Sequence, residues 1–144
     1  QDSSSAASDV YKRQVKAMLF GIIITIMVQS SSITTSLVVP LAGAGVLTLR
    51  QIFPFTLGAN IGTTVTALLA AITGTVSALV AAFSHLLFNI SGIVIIYCIP
   101  TLRKIPLKCA EIISEQAVTK KYLPLLYLFC IFVLLPLFII YFGR

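Results

Sequence analysis

Charged side chains are scarce in this chain of 144 residues: they make up 10% of it, against a hydrophobic share of 58%. A soluble globular domain carries about 25% charged residues, so four acidic and ten basic side chains are too few to cover a water-exposed surface. Intrinsic disorder is excluded as well, because it requires low hydrophobicity together with high net charge. The composition, with a mean hydropathy of +1.06, therefore indicates an integral membrane protein.

Metal-ligating side chains are also few. The chain has one histidine and three cysteines, which are Cys98, Cys109 and Cys130, and it has no CxxC or Cys/His spacing. This pattern predicts neither a disulfide framework nor a metal site. The net charge of +6 does not require a nucleic-acid partner, because excess Lys and Arg in membrane proteins usually mark cytoplasmic loops. We therefore expect no nucleic-acid binding and no resident cofactor.

Three charge-free stretches separate the fourteen charges. About 20 residues of helix cross the hydrocarbon core of a bilayer. The 22 residues of 122–143 therefore suit one transmembrane helix. The 52 residues of 51–102 suit two, which we expect over 51–72 and 75–99.

The remaining charge-free stretch, 17–49, has 33 residues, too many for one simple crossing and too few for two. A re-entrant hairpin over 15–49, which enters the membrane and returns to the same side, fits this length. Lys16 and Arg50 then share one side with the later basic cluster, so nine of the ten basic residues lie together. The positive-inside rule favours this arrangement and makes that side cytoplasmic.

Two segments outside these stretches are polar. Residues 1–14 are rich in serine and lack helical periodicity, so we expect a disordered leader, or sequence not native to the membrane repeat over 15–144. Residues 101–121 combine mixed charge with apolar residues at helical spacing, which predicts a cytoplasmic amphipathic helix at the interface.

Polar side chains in the middle of apolar stretches are the strongest functional signal. Gln29, Ser30, Ser31 and Ser32 follow one another near the centre of 17–49. Four consecutive polar side chains cannot share one helical face, and unpaired polar groups are costly in hydrocarbon. We therefore expect these residues, the QSSS tip, to lie between the two half-helices of the hairpin and to line a cavity. The structural alternative is that the hydroxyls only bond back to their own helix.

A second polar cluster lies within 51–72, where Gly58 and Gly62 flank Asn60 and hydroxyl residues follow. Glycine permits positive φ and asparagine tolerates it, which predicts a broken transmembrane helix of the kind that binds ions in transporters. The alternative is that Gly58-xxx-Gly62 only packs helices together.

Three further polar residues are candidates for supporting roles. Thr64 belongs to the second cluster, and His85 and Asn89 share one face of the 75–99 helix because they are four residues apart. Such side chains within a membrane span face inward by default. A structural hydrogen bond between helices is the alternative role for the histidine and the asparagine.

Hydroxyls, carboxamides and helix ends without a buried charge suit two kinds of ligand. Hydroxyls and N–H groups at a helix N-terminus bind an oxyanion, whereas hydroxyl, carboxamide and carbonyl oxygens bind a small hard cation such as Na⁺. A site made of both, with no fixed charge, binds each ligand poorly without the other. The residues therefore predict Na⁺-driven secondary transport rather than an enzyme.

The chain resembles the type II sodium-dependent phosphate cotransporter family over residues 18–142. The resemblance rests on an ordered set of motifs: QSSS, then GAGVLTLRQIFPFTLGANIGTTVTALLAA, then HLLFNISGI followed by IPTLRKIPLK. It implies an all-α integral membrane fold that is one half of an inverted-repeat transporter, namely the second QSSS-containing repeat. It also implies sodium-coupled symport of inorganic phosphate across the plasma membrane, or the inner membrane in a bacterium.

The resemblance further assigns roles to residues. It implies that the QSSS tip helps to bind phosphate and that Asn60, Thr63 and Thr66 coordinate Na⁺, which is cargo and not a resident metal. Family members often carry serine where this chain has Ala59, so a side-chain ligand is lost there. The implied partners are the lipid bilayer and either a complementary first repeat or a second copy of this chain.

Two other classes of protein are alternatives to a transporter. A helix-packing membrane scaffold, or a subunit without its own transport site, predicts that Gln29→Ala leaves function intact. An intramembrane serine hydrolase needs serine and histidine within hydrogen-bond reach and an oxyanion hole. The tip has no Gly-x-Ser turn and no orienting acid lies in the charge-free stretches, so labelling by a fluorophosphonate probe is not expected.

The re-entrant path gives a first testable prediction. Cysteines placed at positions 16 and 50, in a background that lacks the native cysteines, should react with a membrane-impermeant thiol reagent from the same side of the membrane. A full crossing of 17–49 would instead make the two positions reactive from opposite sides.

Overall fold

The structure is a computed structural model that describes the backbone of residues 2–143 and the side chains of residues 9–143. The described residues form helices joined by short turns, without a strand. In chain order the elements are α1 (Asp2–Val28), α2 (Ser31–Gly43), α3 (Leu49–Ala71), α4 (Val76–Cys98), α5 (Pro100–Thr119), α6 (Leu123–Phe129), a π-helical turn (Cys130–Leu134) and α7 (Leu135–Phe142).

Three segments of the described chain are long and apolar enough to cross a membrane, and each agrees with a predicted crossing to within two residues at either end. The all-helical class and the membrane character predicted from the sequence are therefore confirmed. The segments are Leu49–Ala71, Val76–Cys98 and Leu123–Phe142.

The chain divides between Arg103 and Lys104 into two compact units. In the second unit the C-terminal helix changes its winding, because Pro136 has no N–H to donate and its ring crowds the carbonyl of the preceding turn. A π-helical turn accommodates the proline, and within it the Leu135 N–H donates to the carbonyl of Cys130.

The first unit is organised by the contact between α1 and α3. A Cβ added to Gly58 would lie 3.0 Å from the Cα of Met18, and one added to Gly62 would lie 2.7 Å from the Cβ of Thr25. Gly21 faces the backbone of α3 in the same way from α1. The glycines let the two backbones touch. Because the contacts advance in the same direction along both helices, α1 and α3 run parallel.

The predicted break in the 51–72 helix is wrong, because α3 continues as α-helix through Asn60. The glycines on either side supply close approach instead of positive φ, and Ala59 between them is 0% exposed. The helix-packing alternative is therefore confirmed for Gly58-xxx-Gly62. Thr63 and Thr66, which would begin the second half of such a broken helix, lie instead in the interior of α3.

A polar cluster fixes the far end of α4 to α1. Gln14 Oε1 accepts hydrogen bonds from the Tyr97 hydroxyl at 2.7 Å and from Arg103 Nη1 at 3.3 Å. The Arg103 guanidinium also lies 5.2 Å from the centre of the Tyr97 ring, close enough for a cation–π interaction. The Phe53 ring lies 6.3 Å from that of Tyr97, so α4 runs antiparallel to α3.

The N-terminal segment differs from the expected leader over 1–14. α1 begins at Asp2, and Gln14 is one of the residues that hold the bundle together. A serine-rich stretch without apolar periodicity gave no local sign of this helix, which continues into the apolar residues that pack on α3. The segment 101–121 is helical as expected, over Pro100–Thr119, with no buried residue.

Helix boundaries follow their capping residues. At the start of α3 the Thr48 N–H donates to Gln51 Oε1 at 2.8 Å, and at the start of α4 the Thr75 hydroxyl accepts from the Ala78 N–H at 3.3 Å. Gly45, with φ of +72°, turns the chain after α2.

The α1–α3 contact gives a second prediction. Gly58→Ala should destabilise the protein by about 1–3 kcal/mol, because a methyl group there overpacks against the backbone of Met18. Gly92→Ala is the control, since its Cβ would meet nothing within 4 Å, and it should be neutral or stabilising by about 0.5–1 kcal/mol. Thermal unfolding of both variants in detergent measures the difference. Equal unfolding midpoints would contradict the close approach of α1 and α3 at Gly58.

Candidate functional site

The QSSS tip is the place where the chain leaves α1 and enters α2, as the sequence predicted. Gln29 has φ of +57°, the one positive φ of a non-glycine residue in the described chain, and its N–H donates to the Thr25 carbonyl at 2.7 Å. Ser30 is extended and caps α2, with Oγ accepting from the Ile33 N–H at 3.4 Å. A left-handed residue with a Cβ costs about 1–2 kcal/mol, and such strain is concentrated at functional sites.

The tip offers hydrogen-bond donors that the protein does not use. The hydroxyls of Ser31, which is half-buried, and Ser32, which is exposed, donate no hydrogen bond to the described residues. The next three hydroxyls in α2 do bond back, to tip carbonyls at 2.7–2.9 Å. The N–H groups of Ser31 and Ser32 also lack an acceptor in the described chain, since the Ile33 N–H is capped by Ser30 and the Thr34 N–H donates to the Ser30 carbonyl, and they carry the positive end of the helix dipole. Together these groups form a donor set that suits an oxyanion.

The hydroxyls of α3 have the opposite character. Thr63, Thr64 and Thr66 donate to carbonyls of their own helix at 3.1, 2.7 and 2.8 Å. Because the proton of each hydroxyl is used, only oxygen lone pairs are left for a ligand. Thr64 is fully buried, Thr63 and Thr66 are half-buried, and Asn60 is exposed. These oxygens suit a small hard cation and cannot donate to an anion.

The parallel register of α1 and α3 sets the height of the QSSS tip relative to the α3 hydroxyls. Gly62 faces Thr25, so Thr66 and Gln29, which each lie one turn further along, have similar heights in the bundle. α2 contacts α3 as well as α1, with Thr34 fully buried. No hydrogen bond among the described residues joins the tip to the α3 hydroxyls. The structure thus brings the two sets to the same level without linking them directly.

The remaining sequence-predicted candidates lie on α4. His85 is exposed and Asn89 is half-buried, and neither forms a side-chain hydrogen bond within the described residues. The structure therefore does not join them to the tip.

One residue that sequence reasoning missed is Thr25, which is 0% exposed and packs against α3 at Gly62. Its signal in the sequence is slight: a single hydroxyl in the apolar run GIIITIMV, one helical turn before Gln29.

The sequence matches the Na⁺/Pi-cotransporter family over residues 3–105. The matched range begins within the segment that was expected to be a leader. This is a family of transporters and not of enzymes, as the residues predicted. No solved structure gives a significant match.

Three curated relatives are similar to most of the chain. Sodium-dependent phosphate transport protein 2A of Ovis aries is 42% identical over 124 residues, which are 83% of this chain and 19% of the relative. Protein 2B of Bos taurus is 42% identical over 84% of this chain and 18% of the relative, and protein 2C of Rattus norvegicus is 40% identical over 84% and 21%. The chain thus spans about a fifth of the length of the curated relatives it matches.

The capping geometry gives a third prediction. Ser30→Ala should lower stability by about 1 kcal/mol, because it removes the cap of α2. Ser31→Ala should leave stability unchanged, because the hydroxyl it removes donates to no described residue. Thermal unfolding in detergent without phosphate measures both. Equal losses for the two variants would mean that Ser30 does not act as the cap.

Proposed function

The chain belongs to the Na⁺/Pi-cotransporter family, and we propose that it forms one repeat of a transporter that carries inorganic phosphate together with Na⁺ across the plasma membrane. In this proposal Gln29, Ser30, Ser31 and Ser32 bind phosphate. Asn60, Thr63 and Thr66 contribute oxygen ligands for Na⁺, with Thr64, His85 and Asn89 in support.

The observation that carries the proposal is the division between donors and acceptors. Unused hydroxyl and N–H donors are concentrated at the start of α2, whereas the α3 hydroxyls donate their protons to carbonyls of their own helix. A phosphate oxygen needs donors, and Na⁺ needs lone pairs. The donors at the start of α2 thus suit the anion, and the lone pairs of the α3 hydroxyls suit the cation. The two sets lie at a similar height in the first unit.

The absence of a fixed charge gives a reason for coupling. None of the proposed ligand residues is charged, and the one ion pair of the described residues joins Lys12 to Asp9, at 3.9 Å. An anion brought alone into such an uncharged site loses hydration without an opposite charge to replace it. A cation beside it supplies that charge, so each ligand favours the other.

The proposal requires a partner for this chain. Gln29 and Ser32 are exposed in the first unit, and polar groups facing lipid are costly unless protein or a water-filled cavity covers them. Transporters of this architecture place their site between two repeats. We therefore propose that 15–49 is re-entrant and that a complementary repeat, or a second copy of this chain, provides the other wall.

A membrane scaffold is the second candidate, and one observation favours it. Gly58 and Gly62 act in helix packing, as a scaffold requires. Packing alone does not explain the strained Gln29 or the unused donors, which lie away from the α1–α3 contact.

The test of the proposed function is phosphate uptake into proteoliposomes that hold the chain with its complementary repeat. Ser31→Ala removes one donor to a charged ligand, an interaction worth about 1.5–3 kcal/mol. The phosphate concentration for half-maximal uptake should therefore rise about tenfold or more. Thr63→Val keeps the shape of the side chain and removes one oxygen, so it should raise the Na⁺ requirement first.

Matched controls make these changes specific. Thr56→Val removes the same kind of back-bonded hydroxyl two turns earlier on the same face of α3, and Ser36→Ala removes one from the exposed side of α2. Each control variant should leave the dependence of uptake on phosphate and on Na⁺ unchanged. The scaffold candidate is favoured if no uptake depends on Na⁺. Uptake by this chain alone, in a preparation shown to be monomeric, would refute the need for a second wall.

A further inference from the structure

Thr25 carries a polar atom that the fold leaves unsatisfied. The residue is 0% exposed, and its Oγ1 has no hydrogen-bond partner among the described residues. The other two fully buried threonines, Thr34 and Thr64, each donate to a carbonyl of the preceding turn or tip. Thr25 is therefore the exception among buried hydroxyls, and buried unpaired polar atoms in proteins call for a specific explanation.

The position of Thr25 adds to its interest. It lies in the α1–α3 contact, where a Cβ on Gly62 would be 2.7 Å from the Thr25 Cβ. Thr66 is one turn beyond Gly62 on the same face of α3, and its hydroxyl proton is used by the Thr63 carbonyl. The Thr25 oxygen therefore lies on the face of α1 that contacts α3, and Thr66 lies on the face of α3 that contacts α1.

The chemistry of this place suits a cation and not an anion. Thr66 has no proton left to donate, and the surrounding helix carbonyls are acceptors too. Apart from the Thr25 hydroxyl itself, an oxyanion here would find no donor among these groups, whereas a small hard cation is bound by hydroxyl and carbonyl oxygens. A lone water molecule is the alternative occupant, because it also satisfies a buried hydroxyl.

We propose that Thr25 Oγ1 is a ligand of the transported Na⁺ ion, on the side of α1 that faces Thr66. The inference rests on the proposed function and adds a residue from the hairpin to a cation site otherwise drawn from α3. Within the α3 ligand set it assigns the ion to the Thr66 end, beside the α1–α3 contact.

Thr25 would also connect the cation to the phosphate end of the site. Its carbonyl accepts the Gln29 N–H at 2.7 Å, the hydrogen bond that ends α1 and begins the QSSS tip. A cation held by the side chain of Thr25 orders the last turn of α1 and with it the left-handed Gln29. Binding of Na⁺ then favours the tip conformation that presents donors to phosphate.

The experiment compares Thr25→Val, Thr25→Ser and the control Thr56→Val in the preparation used for uptake. Thermal unfolding is measured in NaCl and in choline chloride, so one readout does not depend on transport. The wild-type protein should unfold at a higher temperature in NaCl, because an ion that binds only the folded state stabilises it. Thr25→Val should lose most of this rise, and Thr25→Ser should keep it.

The result in choline separates a ligand from a packing residue. Valine has the shape of threonine without the unpaired hydroxyl, so Thr25→Val should unfold in choline at the wild-type temperature or above it. A lower temperature there would mean that the Thr25 hydroxyl already has a hydrogen-bond partner in the sodium-free protein, and it would overturn the inference. A full NaCl-dependent rise in Thr25→Val would also overturn it, in favour of bound water.

Uptake gives the second readout. Thr25→Val should require several-fold more Na⁺ for half-maximal phosphate uptake, with Thr25→Ser and Thr56→Val close to wild type. If the wild-type protein shows neither a NaCl-dependent rise nor Na⁺-dependent uptake, the proposed function itself fails and this inference with it. If the wild-type protein shows both and Thr25→Val keeps both, only the role of Thr25 is refuted.

Discussion

The backbone contact between α1 and α3 is the constraint on which the first unit depends. Helices in a bilayer gain little from burying apolar side chains, because lipid is as apolar as leucine. They associate by close packing, and the glycines at positions 21, 58 and 62 let carbonyls and Cα atoms of the two helices touch. This contact sets a parallel register, and the register places the end of α1 at the level of the α3 hydroxyls. The α4 helix then closes on the pair through Phe53, Tyr97 and Gln14.

The same contact explains which parts of the fold the sequence could predict. The expected spans follow from charge-free length alone, which is a local property, and the structure has apolar helical segments whose ends lie within two residues of them. The QSSS tip was also predictable, because four consecutive polar residues cannot share a helical face. The path of α3 was not. Gly58 and Gly62 suit a break and a packing contact equally well, and the choice depends on Gly21, a partner that no local pattern identifies.

Long-range pairing also accounts for the other differences. Gln14 sits in a polar, serine-rich stretch, and its importance comes from Tyr97 and Arg103, more than 80 residues away. Thr25 is one hydroxyl in an apolar run and becomes notable only when Gly62 buries it. The candidate site was thus predictable in its residue types and in its tip. The burial of each oxygen required the packed helices.

The direction of the hydroxyl protons bears on how a site without charge can be selective. A threonine in a helix that donates to the preceding turn presents only lone pairs, whereas a serine at a helix N-terminus keeps its proton and lies beside free N–H groups. The same hydroxyl chemistry therefore gives acceptors on α3 and donors at the start of α2, according to position in the helix. Opposite ligands can then be told apart by helix geometry, with no acidic or basic side chain buried in lipid. Such a site has little affinity for either ion alone. In the proposed function a second wall covers the exposed side of the tip, because uncharged donors gain their full strength only when water is excluded. In the proposed transporter, coupling of the two ligands and assembly of the two walls both follow from one property, the use of neutral oxygens where a soluble protein would use charges.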